Sequence, residues 1–266
     1  MKMIRLATIA ALTTTILAGG ASAFADEVRD IETDGQVIFV PNDEDETVVE
    51  PTEPEGPDVE IPPLGPEGQT GPLTIAYAPT MDFGTQVISN KDMSYNIVAE
   101  MQQLAGTEGD ENKVPYVSFA QVQDTRGNNA GWDLSVTLSA FESGTQNNEL
   151  RGAQIEFVSP RLQYNGNNED NAPAIHEAGL MLDASGDKQD VLNASEGRGA
   201  GTSSVVWGDQ AALDAQLADG AEVIENDAIK LHVPGATAKD TAVYEATLTW
   251  NLTAGVDAEG ETTPED

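Results

Sequence analysis

Forty-six carboxylates, two histidines and no cysteine are what this chain offers for chemistry. A retaining glycosidase needs only two carboxylates about 5 Å apart, so glycan hydrolysis has to be weighed. The acidic residues gather in a leader and in turns, where solvation accounts for them, and no pair stands out from so many. With no Cys and no close His pair, neither a zinc site nor a Cys-His nucleophile can be assembled around His176 and His232. His232 lies in KLHVP, in phase with Lys230 rather than with Leu231 and Val233, and is expected to face solvent. None of the G-x-S-x-G, G-x-G-x-x-G or P-loop patterns occurs. The oxygen-rich NNEDN run at 167–171 lacks EF-hand spacing and reads as a polar turn. No cofactor is expected, a divalent cation is unsupported, and the chain is not expected to be an enzyme.

Two of the three tryptophans occupy matching steps more than a hundred residues apart: Trp132-Asp133-Leu134 in GWDLSVTLSAF and Trp250-Asn251-Leu252 in ATLTWNLTAGV. Side chains alternate faces along a strand, so Trp132, Leu134, Val136 and Leu138 share one side of the first segment. Leu248, Trp250 and Leu252 share one side of the second. Both tryptophans are therefore in phase with the apolar face, which favours a core role over an exposed platform for a sugar. If the two strands pair antiparallel, or face each other across a sandwich, both indoles are expected at the same end of the domain. Trp207 either joins them there or closes a separate edge.

The elements that would position these residues are short apolar alternations separated by Gly, Asn, Asp and Pro clusters. Strands are expected at 73–78, 95–100, 115–122, 132–141, 153–158, 178–183, 204–207, 228–233 and 244–252. The segment 209–218, with Ala and Leu at helical spacing behind Asp209 as N-cap, is the one expected helix. The expected fold class is all-β: a β-sandwich or Greek-key-like domain with a short helical insertion, spanning 71–258.

Ahead of that domain the texture differs. Residues 1–25 carry Lys2 and Arg5 before an apolar run and end in the A-x-A steps Ala21-Ser22-Ala23 and Ala23-Phe24-Ala25. This is the pattern of a secretory signal peptide cleaved after Ala25 or Ala23. Residues 26–70 hold fifteen acidic residues against one Arg29, with six prolines among the last twenty positions. Such a segment cannot bury enough apolar surface to offset its ordering entropy and is expected to be a disordered, self-repelling spacer. Twenty residues of it at ~3.1 Å each reach on the order of 60 Å. Val37-Ile38-Phe39-Val40 is an apolar island within it, without periodicity to test. Residues 259–266 form an acidic tail that should fray.

The formal net charge of -34 excludes nucleic acid as a partner, since binding it requires cations to neutralise phosphates and only 12 basic residues are present. No segment after the leader approaches the roughly 20 apolar residues of a membrane-spanning helix. Export without cysteine suits a Gram-positive exterior, which also removes the meaning of the sequons at Asn193 and Asn251.

Several stretches together carry a family resemblance. GPLTIAYAPTMDFG at 71–84, VSFAQVQDTRGNNAGWDLSV at 117–136, VPGATAKD at 233–240 and YEATLTWNL at 244–252 are similar to WxL-domain surface proteins of low-GC Gram-positive bacteria. One Trp-x-Leu step says little, but a D-x-R-G-x-x-x-G-W run before the first and an A-T-L-T-W run around the second are specific. The resemblance implies an exported protein attached noncovalently to the cell wall, with peptidoglycan or another wall glycopolymer as partner. Trp132, Leu134, Trp250 and Leu252 are the motif residues it designates, as wall contacts or as the core of the binding module. No LPxTG-like sorting signal is present, so covalent anchoring is not expected, and the absence of a passenger domain suggests a small stand-alone member. Docking onto other surface proteins or host ligands is the alternative reading.

Overall fold

The computed structural model describes residues 36–41, 56–62, 71–166 and 168–255. The expected signal peptide, most of the spacer and the acidic tail lie outside these residues. The chain divides into two compact units, Met1–Ile38 and Phe39–Asp266. Of the first, only residues 36–38 are described, and they are exposed.

The described residues of the second unit form fifteen strands: β1 (Val59–Glu60), β2 (Leu73–Tyr77), β3 (Met93–Val98), β4 (Glu100–Leu104), β5 (Lys113–Tyr116), β6 (Ser118–Asp124), β7 (Trp132–Leu138), β8 (Gln154–Phe157), β9 (Pro160–Tyr164), β10 (Ala174–Ile175), β11 (Leu180–Asp183), β12 (Gln189–Ala194), β13 (Gly201–Trp207), β14 (Glu225–Val233) and β15 (Leu248–Ala254). Among the described residues a single α-helix, α1 (Gln210–Ala218), precedes β14. Its N-cap is the expected one, the Asp209 carboxylate accepting from the Ala211 amide at 3.0 Å.

The fold is mostly β with one short helix, but the two-sheet sandwich of the sequence reading is not what forms. Hydrogen bonding divides the strands among four sheets, ordered β1-β4-β5, β10-β12-β7-β15, β11-β8-β14-β3 and β2-β6-β13-β9. They are arranged like a four-bladed propeller, although each sheet gathers strands that are distant in sequence. Alternation within a strand reports that one face is buried; which strands share a ladder is decided by long-range pairing, and here those pairings close four small sheets.

Strand β6 shows why the alternation was misleading. All seven residues from Ser118 to Asp124 are buried. Ala120 and Val122 pack into the main core with Ile155, Phe157, Val205 and Ile229. Phe119 packs on the other face with Tyr77, Tyr116, Val206 and Leu213 of α1. The intervening carboxamides bond within the sheet, Gln121 Nε2 donating to Ser204 Oγ at 3.0 Å and Gln123 Nε2 to Gln121 Oε1 at 3.0 Å.

Part of the acidic leader is ordered. Val59 is 5% exposed within the second cluster, and β1 pairs antiparallel with β4, Val59 opposite Leu104 and Glu60 opposite Gln103. Residues 56–62 therefore dock on the β domain instead of continuing as free spacer. The outer edge of β5 is covered by a side chain: Gln210 accepts from the Val117 amide at 3.1 Å and donates to the Pro115 carbonyl at 2.7 Å, as a paired strand would. Strands β4, β9, β10 and β12 were not legible beforehand, because EMQQL, PRLQY and QDVLNA carry Gln, Asp, Asn or Pro where strand readings demand β-branched residues, and the expected strand at 115–122 divides into the end of β5 and most of β6.

Candidate functional site

The two Trp-x-Leu steps lie on adjacent antiparallel strands. Register on the β7–β15 ladder sets Leu134 opposite Leu252, Trp132 opposite Ala254 and Trp250 opposite Val136. The motifs are thus related by a local two-fold about the leucine pair. Because each Trp precedes its Leu by two residues on strands of opposite direction, the indoles are displaced to opposite sides of that pair, four positions or about 13 Å apart along the ladder. They do not share one end of the domain, which corrects the expectation drawn from strand order alone.

Trp132 is sealed in, with 1% of its surface exposed, and Leu134 has none exposed. Its indole Nε1 donates to the Gly199 carbonyl at 3.1 Å. The D-x-R-G-x-x-x-G-W run is the clasp that holds it. Arg126 donates from Nε and Nη2 to the two Asp124 oxygens at 2.9 and 2.8 Å, and Nη2 also reaches the Gly131 carbonyl at 2.8 Å. The same carbonyl accepts from the Gly255 amide at 2.9 Å, tying the end of β15 to the start of β7. Gly131 has φ of 77°, and a Cβ there would stand 2.2 Å from the Ala194 carbonyl oxygen. Only glycine fits.

Trp250 and Leu252 are half-buried on β15, at the margin of their sheet. Trp250 stands 6.5 Å from Trp207 between ring centres, and Trp207 in turn lies 4.7 Å from Phe157 and 5.9 Å from His176. Trp207 joins Trp250, not Trp132. Its Nε1 donates to His176 Nε2 at 3.0 Å, which leaves Nδ1 to donate to the Glu177 carbonyl at 2.6 Å. The bond from Trp207 requires the neutral imidazole, and burial pushes the His176 pKa down, against the bond to Glu177, which favours the proton. The sequence reading gave His176 no role; nothing in its local pattern points to a tryptophan 31 residues ahead.

The other titratable groups are structural. His232 is not free in solvent: its Nε2 lies 2.7 Å from Glu156 Oε2 across the β14–β8 ladder, with about a third of its side chain exposed. Glu100 is half-buried, its desolvation raises its pKa, and it accepts from the Thr80 amide at 3.0 Å. Burial likewise raises the neighbouring Tyr77 phenol, helped by the Glu100 charge. At the expected polar turn, Asn168 accepts from the Asp170 amide and donates to Asn171 Oδ1. Among the described residues no three His, Asp or Glu side chains gather as metal ligands, and no helix is long and apolar enough to cross a membrane.

Residues 26–255 match the WxL domain surface cell wall-binding family. The chain belongs to that family. It is accordingly a cell-surface, cell wall-binding WxL protein of a non-catalytic kind. Comparison with curated proteins and with solved structures finds no match. The WxL signature is now physically explicit: one ladder carries both motifs, one motif deep in the core and the other at the sheet margin.

Proposed function

We propose that this WxL domain holds its chain on the wall without a covalent bond, by contacting peptidoglycan through the β15 side of the β7–β15 sheet. The observation that carries this is the asymmetry of the two motifs. Trp132 and Leu134 have no surface left to offer, whereas Trp250 and Leu252 are partly open on the marginal strand. An indole presents its face to sugar C–H groups. A short-range contact of this kind suits a chain of net charge -34 on a wall rich in anionic polymers. Repulsion is screened beyond about 8 Å at physiological salt, so contacts at the surface decide retention.

In this reading residues 1–25 are removed on export. The family match begins at residue 26, directly after the A-x-A step ending in Ala25, which supports that boundary. The acidic stretch up to residue 70 is then the mature N-terminus, tethered near its end by β1.

The test is co-sedimentation of the mature chain with protein-free, teichoic-acid-free sacculi, beside folded Trp132→Phe and Trp250→Phe variants. Retention that falls with Trp250→Phe and not with Trp132→Phe is the expected result. Equal retention of all three places the contact elsewhere. If none pellets, wall association runs through another surface protein. The exposed segment Val37 to Val40, with 69 to 88% of each side chain open, favours that second reading as a docking peptide.

A further inference from the structure

The VPGATAKD stretch at 233–240 has no part in the Trp-x-Leu ladder, yet it builds a second feature. Its first two residues, Val233 and Pro234, border an open surface cavity of about 330 Å³ at the end of the β11-β8-β14-β3 sheet, lined also by Asp92, Ser94, Gly152, Gln154 and His232. That volume lies at the lower end of the range for small-ligand sites, roughly 300 to 1,000 Å³.

Three loops forming this corner are tied together by hydrogen bonds. The Gly235 amide donates to Asp92 Oδ1 at 2.8 Å. Lys239 Nζ donates to the carbonyls of Ser89, Pro234 and Thr237 at 3.2, 3.1 and 2.9 Å. The Thr237 hydroxyl donates to the Arg151 carbonyl at 2.6 Å, and Asp240 accepts twice from Asn147. A Cβ on Gly235 would meet the Asn90 carbonyl oxygen at 2.5 Å, and one on Gly152 would press Pro234 at 3.2 Å. The corner is held in shape before anything binds, which lowers the ordering cost of binding.

The chemistry left over selects the ligand. The ammonium of Lys239 is consumed by three carbonyls, the Arg151 guanidinium leans on Glu149, and His232 Nε2 is engaged by Glu156. No uncommitted cation is among the lining residues named above, and Asp92 is one of them, so phosphate and carboxylate are disfavoured. The residues lining the space bring a carboxylate, a hydroxyl, a carboxamide and an imidazole, beside the apolar ring of Pro234. These are partners for a neutral ligand rich in hydroxyl and amide groups.

We infer that this cavity is a binding subsite for a neutral N-acetylated sugar unit of a wall glycan. The inference rests on the wall-binding reading and gives it a second contact, independent of Trp250.

The probe is the β-1,4-linked disaccharide of N-acetylglucosamine, titrated into the isotopically labelled mature chain, with glycerol phosphate as the anionic control. Amide resonances of Ser94, Gly152, Gln154 and His232 are expected to shift with the disaccharide and not with the control. The Ser94→Ala, Gln154→Ala double variant, its melting temperature unchanged, should lose those shifts and retain about tenfold less on sacculi. Shifts with glycerol phosphate alone, or a double variant that behaves as wild type in both assays, would overturn the subsite while leaving wall binding by Trp250 intact. Failure of the wild-type chain to pellet would sink both readings.

Discussion

Leu134 and Leu252 stand directly opposite each other on the β7–β15 ladder, and each sits two residues after a tryptophan. That pairing makes the two halves of the WxL signature one object, with a buried end at Trp132 and a marginal end at Trp250. The two ends should answer differently to mutation.

Trp132→Ala removes a fully buried indole and its bond to Gly199, and should cost about 3 to 5 kcal/mol of stability in denaturant unfolding. Trp250→Ala should cost clearly less, since that ring is only half-buried. Equal losses would contradict the asymmetry on which the proposed wall contact stands.

Asp124→Asn should be among the most damaging changes outside the apolar core. Asp124 and Arg126 are both nearly inaccessible, and halving the pair leaves a buried guanidinium uncompensated, at a cost of about 3 to 5 kcal/mol. Replacing both by apolar residues should recover part of that loss, and thermal unfolding of the single and double variants measures it.

Gly131→Ala and Gly199→Ala place a side chain at φ of 77° and 80°, against the Ala194 carbonyl and the Trp132 ring respectively. Backbone strain alone is worth roughly 1 to 3 kcal/mol at each. Gly186→Ala, at a similar φ of 81° but with open space around it, should cost only the strain, so the excess at the first two reports the clash.

Stability should fall on acidification through the range just below the ordinary histidine value of 6.5, because burial depresses the His176 pKa. In that window the unfolded chain takes up a proton that the folded chain refuses, so stability is present above it and lost as pH drops. His176→Gln keeps an acceptor for Trp207 and should flatten this slope. Glu100 acts in the opposite sense, since its pKa is raised from 4.5 and its neutral form is the one that folding favours. Stability contributed there is lost as pH climbs through the folded value, and Glu100→Gln should be the more stable protein at neutral pH. Melting temperatures of the two variants across pH 4 to 8 separate the effects.

Much of this was readable beforehand where a local rule governs. The Asp209 cap and α1 follow from backbone chemistry within a few residues, and the apolar phase of Trp132, Leu134, Trp250 and Leu252 follows from the two-residue period of a strand. The family was legible from the D-x-R-G-x-x-x-G-W and A-T-L-T-W runs, since a clasp made of nearby residues leaves its spacing in the sequence.

What the sequence by itself determined was therefore composition and phase: an acidic, cysteine-free β protein with two tryptophans facing inward. Tertiary structure alone decided the rest. Four sheets form where two were expected, because pairing partners such as β7 with β12 and β15 come from distant segments that no local pattern names. Register offset the two indoles, and long-range packing set Trp207 against His176 and Trp250. The corner around Asp92 and Gly235 exists only because loops some 140 residues apart meet. Side-chain periodicity fixes which face of a strand is apolar; which face it meets is a property of the whole chain.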